Sequence, residues 1–149
     1  MDLPASRLES SLPHPVHELF DAARAARKGA YVPYSRFAVG VALRTASGKI
    51  FHGFNIENAS YGLTMCAERV ALFAARAAGE VGVTEFALIA AQAEPLAPCG
   101  ACRQVMAELA PGATVWMGNL DGEVRQSTVA ALLPNLFTLS PPVPKRDKR

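Results

Sequence analysis

The chain has 149 residues, of which half are hydrophobic and 19% charged. That suits one domain of ordinary size with enough apolar residues for a core, and it excludes a disordered chain. A net charge of +2 is too small for a nucleic-acid footprint. No apolar run is long enough for a membrane span, and the N-terminus lacks the charged start and apolar block of a secretory signal.

Residues 1–13 read as a loose N-terminal arm. "HPVHELFDAARAARKG" follows as a helix with Val16, Leu19, Phe20 and Ala23 on one face and Gly29 as its stop. "PYSRFAVGVALRTASGKIFHGFNIEN" reads as a hairpin. Phe37, Val39, Val41 and Leu43 alternate, "SGK" turns, and Ile50, Phe54 and Ile56 share a face on the return strand, with His52 its polar exception. "CAERVALFAARAAG" is an alanine-rich helix closed by Gly79. "TEFALIAAQA" is apolar almost throughout, which predicts a central strand covered on both faces. "PCGACRQVMAELAPG" begins with a turn and continues as a helix. "ATVWMGNLDGEVRQ" reads as two strands around a turn at Asn119–Gly122, and "TVAALLPNLF" as a short helix ending near Pro134.

The order α-β-β-α-β-α-β-β-α predicts an α/β fold. Its form is a three-layer α/β/α sandwich with a mixed five-stranded sheet, in one domain over residues 14–139. "SPPVPKRDKR", residues 140–149, reads as a flexible basic tail.

Three cysteines cannot all pair with one another within the chain. Reduced thiols in the cytoplasm, or a metal site, explain them better than a disulfide framework. Cys66 opens one predicted helix, and Cys99 and Cys102 bracket the start of another in "PCGACRQ". Two thiolates at Cys-x-x-Cys spacing suit one metal ion, and a third can come from a neighbouring helix. Helix N-termini favour the thiolate form that a metal needs. Two other readings stand beside this one: small buried hydrophobes, and a "CGAC" redox dithiol that gives Cys66 and Glu68 no task.

Structural zinc sites close with four protein ligands, whereas catalytic sites keep one position open. His14, His17 and His52 stand in no recognisable metal spacing with the cysteines. The reading is therefore three thiolates with one position left for water. Glu68, two residues beyond Cys66 on the same first turn, brings a carboxylate near that position, where it can move protons. A glutamate in a first turn also serves simply to stabilise the helix dipole. Three thiolates on Zn²⁺ sum to a net −1, which Arg69 can offset by charge-assisted hydrogen bonds to sulfur. Arg103 can act likewise, anchor its helix or form a surface ion pair.

"CAE" with "PCGACRQ" resembles the zinc-dependent nucleobase deaminases, with Cys rather than His as the first ligand. "NIENASYG" and the upstream "YVPYSRFAVGVAL" narrow the resemblance to the small homotetrameric cytidine deaminases, over about Val16 to Phe137. That resemblance implies one Zn²⁺ per chain on Cys66, Cys99 and Cys102, with Glu68 as the catalytic proton shuttle. It implies that Asn55 and Glu57 hold the ribose 3′-hydroxyl, that Phe37 packs near the base, and that Ala67 and Glu68 meet the pyrimidine edge. Ala59 and Tyr61 would reach a neighbouring subunit's site, and Phe137 would cover the ring there. The implied activity is hydrolytic deamination of cytidine and 2′-deoxycytidine in cytoplasmic pyrimidine salvage. The partner is a small-molecule nucleoside, not a nucleic acid or a membrane. A deaminase of a cytosine-containing antibiotic of the blasticidin S type, and a zinc-stabilised non-catalytic module, remain the alternatives.

Overall fold

The protein is described by a computed structural model over residues 5–139. The basic tail expected at 140–149 and the first four residues of the arm lie outside the described residues. One sheet of six strands, in the order β1-β6-β5-β4-β2-β3, forms the middle layer. Its strands are β1 (Arg7–Leu8), β2 (Val39–Thr45), β3 (Ile50–Phe54), β4 (Val83–Ala90), β5 (Thr114–Asn119) and β6 (Glu123–Thr128). Only β4 and β5 run parallel. Helix α1 (His14–Arg27) covers one face, and α2 (Ala67–Ala77), α3 (Gly100–Leu109) and the short α4 (Val129–Leu132) cover the other.

Side-chain alternation produces the layers. Val41 and Leu43 of β2, Phe86 and Leu88 of β4, and Val115 and Met117 of β5 face the α2 and α3 side. Ala42, Ala87, Ile89 and Trp116 face the opposite way, against Val16, Leu19, Phe20 and Ala23 of α1. Burying each large side chain contributes roughly 1.5–3 kcal/mol, against about 1–2 kcal/mol of backbone entropy per residue ordered. β4 is buried on both faces over Phe86–Ala90, as its unbroken apolar run requires.

The sheet has six strands rather than the expected five. The second half of the arm is not loose: Arg7 and Leu8 pair antiparallel with Val124 and Glu123 at the edge of β6. The buried Glu9 side chain, ion-paired with Arg24, and the buried Leu12 tie the segment to α1. A strand of two residues carries no periodicity, so nothing in "SRLESS" announces it. The return strand also stops at Phe54. Ile56 lies beyond it in single bridges to Tyr31 and Met65. In the β2–β3 turn Gly48 takes a φ of 85°, which glycine adopts without strain.

Gly53 decides how α2 sits on the sheet. A Cβ at this position would stand 2.5 Å from Ala67 O and 2.6 Å from Ala71 N. Both are backbone atoms of α2, so no side chain can swing aside. Gly53→Ala is expected to cost about 1–3 kcal/mol or more, as overpacking does. The readout is the urea midpoint, and an unchanged midpoint would show that α2 can shift freely.

Candidate metal centre and active site

Chain geometry brings the three cysteines together. Cys66 is the N-cap of α2 and Cys99 the N-cap of α3, while Cys102 lies one turn into α3. α3 follows β4, the central strand, so its N-terminus emerges at the carboxyl end of the sheet's core, where α/β folds form their sites. Arg103 anchors this start. Its Nε donates to Pro98 O at 2.8 Å and its Nη1 to Leu132 O at 2.9 Å. Of the roles open to Arg103, helix anchoring is the one observed.

The three sulfur atoms all lie within 4.8 Å of one another. Cys66 Sγ and Cys99 Sγ are 3.8 Å apart. Thiolates about 2.3 Å from a tetrahedral zinc stand about 3.8 Å from each other. The donor set therefore fits one zinc ion. Hydrogen bonding to Cys102 is the main influence that lowers the Cys66 thiol to about 5; bonds from Arg69 and Cys99 act the same way and burial opposes them. The Cys102 thiol is pushed far up, first by that same bond to Cys66 and then by burial. The bond between them thus favours an ionised Cys66 beside a protonated Cys102 while no cation is bound. Arg69 Nη2 reaches Cys66 Sγ and Thr64 O, each at 3.5 Å.

Glu68 sits in the first turn of α2 and is only 4% exposed. Burial is the main cause that raises its carboxyl to about 7, with the nearby Cys66 charge adding to it; Cys102 and its own backbone N–H act the other way. The neighbouring Ala67 is fully buried, its methyl packed in the core.

The remaining candidates fall into two places. Ile56 bridges Met65 through paired backbone bonds of 2.9 Å, which sets the 55–57 segment beside the approach to Cys66. Asn55 Oδ1 accepts Val39 N–H at 2.9 Å, and its Nδ2 donates to Phe37 O at 2.8 Å. Phe37 and Cys66 are both half-buried against the same core cluster. Glu57 Oε2 accepts the backbone N–H groups of Tyr34 and Ser35 at 2.9 and 3.2 Å. A cleft of about 350 Å³ is lined by Tyr34, Ser35, Glu57, Tyr61 and Thr64. The rings of Tyr34 and Tyr61 pack tilted at 59°, with centroids 5.7 Å apart. Ala59 is exposed on the loop beside this cleft. Phe137 lies elsewhere: it is 69% exposed and borders a groove on the outer side of α3 with Gln104 and Glu108. Within one chain it does not join the cysteine cluster. Tyr34, Ser35 and Thr64 are the lining residues that the motifs did not single out. The turn-forming "PYSR" directly before Phe37 was the available signal.

Residues 14–118 match the model of the cytidine and deoxycytidylate deaminase zinc-binding region. The cytidine deaminase of Halalkalibacterium halodurans is 58% identical over 76% of this chain and 86% of its own length. That of Sporosarcina psychrophila is 47% identical over 83% of this chain and 91% of its own. The crystal structure of cytidine deaminase from Burkholderia pseudomallei superposes with a TM-score of 0.79 at 51% identity, covering 85% of this chain and all of that one. The match spans the helix that carries Glu68 and all three clustered cysteines, and on it the chain belongs to the cytidine and deoxycytidylate deaminase family.

Proposed function

We propose that this chain is a zinc-dependent cytidine deaminase of cytoplasmic pyrimidine salvage. It converts cytidine or 2′-deoxycytidine and water into uridine or 2′-deoxyuridine and ammonia. The observation that carries the reading is the cluster of three cysteine sulfurs beside the buried carboxyl of Glu68. Residues 14–139 form the catalytic domain.

Cys66, Cys99 and Cys102 would hold one Zn²⁺. When bound, it supplies the Lewis acidity that makes water nucleophilic near neutral pH. Arg69, hydrogen-bonded to Cys66 Sγ, offsets part of the thiolate charge. Glu68 accepts the proton that water loses on attacking C4, places it on N3, and delivers the second proton to the departing amino group. Its burial suits both tasks, because a carboxyl near neutrality can take and return a proton. Ala67 meets the pyrimidine edge through its backbone, and Phe37 packs against the ring. Asn55 keeps one amide N–H and one oxygen lone pair free after clamping residues 37 and 39, enough to serve the ribose together with Glu57.

The direct test is an ultraviolet assay of cytidine loss with and without a zinc chelator. Activity that survives full removal of zinc would refute the reading. Blasticidin S in the same assay separates the nucleoside enzyme from an antibiotic deaminase.

Two further outcomes are expected. Among the described residues, no Lys or Arg lines the cleft around Glu57, and hydrogen bonds from Ser35 and the Tyr34 N–H hold the Glu57 carboxyl below its usual range, so it is charged at neutral pH. A phosphate brought near it is repelled. kcat/KM should therefore favour cytidine over cytidine 5′-monophosphate by at least about tenfold. Equal use of both would remove Glu57 from the sugar. The second outcome is a homotetramer in which exposed Ala59, Tyr61 and Phe137 complete neighbouring sites. Light scattering should give a mass of four chains, and a fully active monomer would leave these three residues without their roles.

A further inference from the structure

We propose that Ser35 is a positioning residue for the nucleoside sugar, setting the Glu57 carboxylate and the Phe37 backbone in one rigid arrangement. The inference rests on the proposed role of Glu57 at the ribose 3′-hydroxyl.

The segment between Val32 and Val39 has no regular secondary structure. It turns through Arg36, whose φ of 57° is one that L side chains rarely adopt. Such a turn persists only where surrounding bonds over-determine it. Those bonds come largely from side chains. Asn55 holds the far end through Phe37 O and Val39 N. Glu57 holds the near end through Tyr34 N and Ser35 N. Ser35 joins the two. Its Oγ accepts the Phe37 N–H at 3.0 Å. Its side chain, beside the Glu57 carboxylate, is the largest influence that holds that carboxyl below its usual range.

Ser35 therefore acts on both groups assigned to the nucleoside. Its N–H, together with that of Tyr34, holds Glu57 Oε2 toward the loop, leaving the other carboxylate oxygen for the sugar. Its Oγ fixes the backbone that presents Phe37. Alanine at this position retains the backbone bond to Glu57 but loses the Oγ bond to the Phe37 N–H and the hydroxyl beside the carboxylate.

The experiment is a substrate–variant cycle with wild type, Ser35→Ala and Ser35→Thr, on cytidine and 3′-deoxycytidine. Thermal melting of each variant reports the fold. Wild type should lose efficiency when the 3′-hydroxyl is removed. Ser35→Ala should raise KM for cytidine about tenfold, the scale of one hydrogen bond to a charged group. Its kcat should stay within about twofold, because uniform binding is what is lost. On 3′-deoxycytidine the same variant should differ little from wild type. Ser35→Thr, which keeps the hydroxyl, should restore cytidine KM. If Ser35→Ala impairs both substrates equally, or Ser35→Thr fails to rescue, Ser35 has only a structural role. If wild type itself is indifferent to the 3′-hydroxyl, the sugar role of Glu57 falls and the inference falls with it. If Ser35→Ala does not fold, the Ser35→Thr result on the two substrates decides: a wild-type dependence on the 3′-hydroxyl upholds the inference, and a lost one overturns it.

Discussion

Glu68→Gln should keep the fold and the zinc but lower kcat on cytidine by about 10²–10⁴-fold, the usual worth of a positioned general acid–base. The substitution preserves side-chain volume at a position that is 4% exposed, so it opens no cavity. It also replaces a buried ionisable group by a neutral one, which carries no desolvation penalty for a charge. The variant should therefore melt no lower than wild type. None of the three clustered sulfurs is touched, so elemental analysis should still find about one zinc per chain. What the amide cannot do is accept water's proton and hand it on. The loss should appear in kcat rather than in KM, since the interaction removed belongs to the transition state. Near-normal turnover at full zinc content would remove Glu68 from proton transfer and reduce it to a first-turn dipole partner of α2.

The legible parts of this chain were those where one residue type repeats with a period or a short spacing carries chemistry. The α1 stripe from Val16 to Ala23 and the unbroken run in β4 correspond to buried faces in the structure. Cys66 and the Cys99–Cys102 pair could be grouped because two of them precede helices, and helix N-termini can converge at one end of a sheet. The rest was hidden for physical reasons. β1 is two residues long, and its pairing is decided by the free edge of β6 and by Glu9 meeting Arg24, neither of which is local in sequence. The Ser35–Glu57 and Asn55–Phe37 bonds span 22 and 18 positions. The Ser35 hydroxyl bonds its own loop backbone at Phe37, as serines in turns do, and a backbone N–H carries no residue signature, so nothing local marks Ser35 as a partner of a distant carboxylate. Gly53 sits inside a strand pattern, where glycine signals close backbone approach without saying to what. Only the docked α2 supplies that partner.

Cys99→Ala should abolish zinc binding and activity together while leaving the metal-free chain folded. The choice among the three cysteines matters. Cys102 is fully buried, and truncating it would open a gap in the core beneath α3. Cys66 carries the hydrogen bond from Arg69, so its loss would also strand a cation. Cys99 is exposed at the N-cap of α3 and makes no side-chain capping bond, so its sulfur caps nothing and meets chiefly Cys66 Sγ. Alanine there removes a donor and little else. Two thiolates remain, fewer than the three protein ligands of ordinary catalytic zinc sites. Elemental analysis should find well under one zinc per chain, and cytidine turnover should fall with it. A thermal control distinguishes a metal effect from misfolding. A ligand that binds only the native state stabilises it by about 2.7 kcal/mol at a hundred times its dissociation constant. Chelation should accordingly lower the melting temperature of wild type and leave that of Cys99→Ala unchanged. Both should then melt close together, because the variant already lacks the metal. Full zinc occupancy in the variant, or a chelator-sensitive melt, would mean that the metal is held by a different set of ligands.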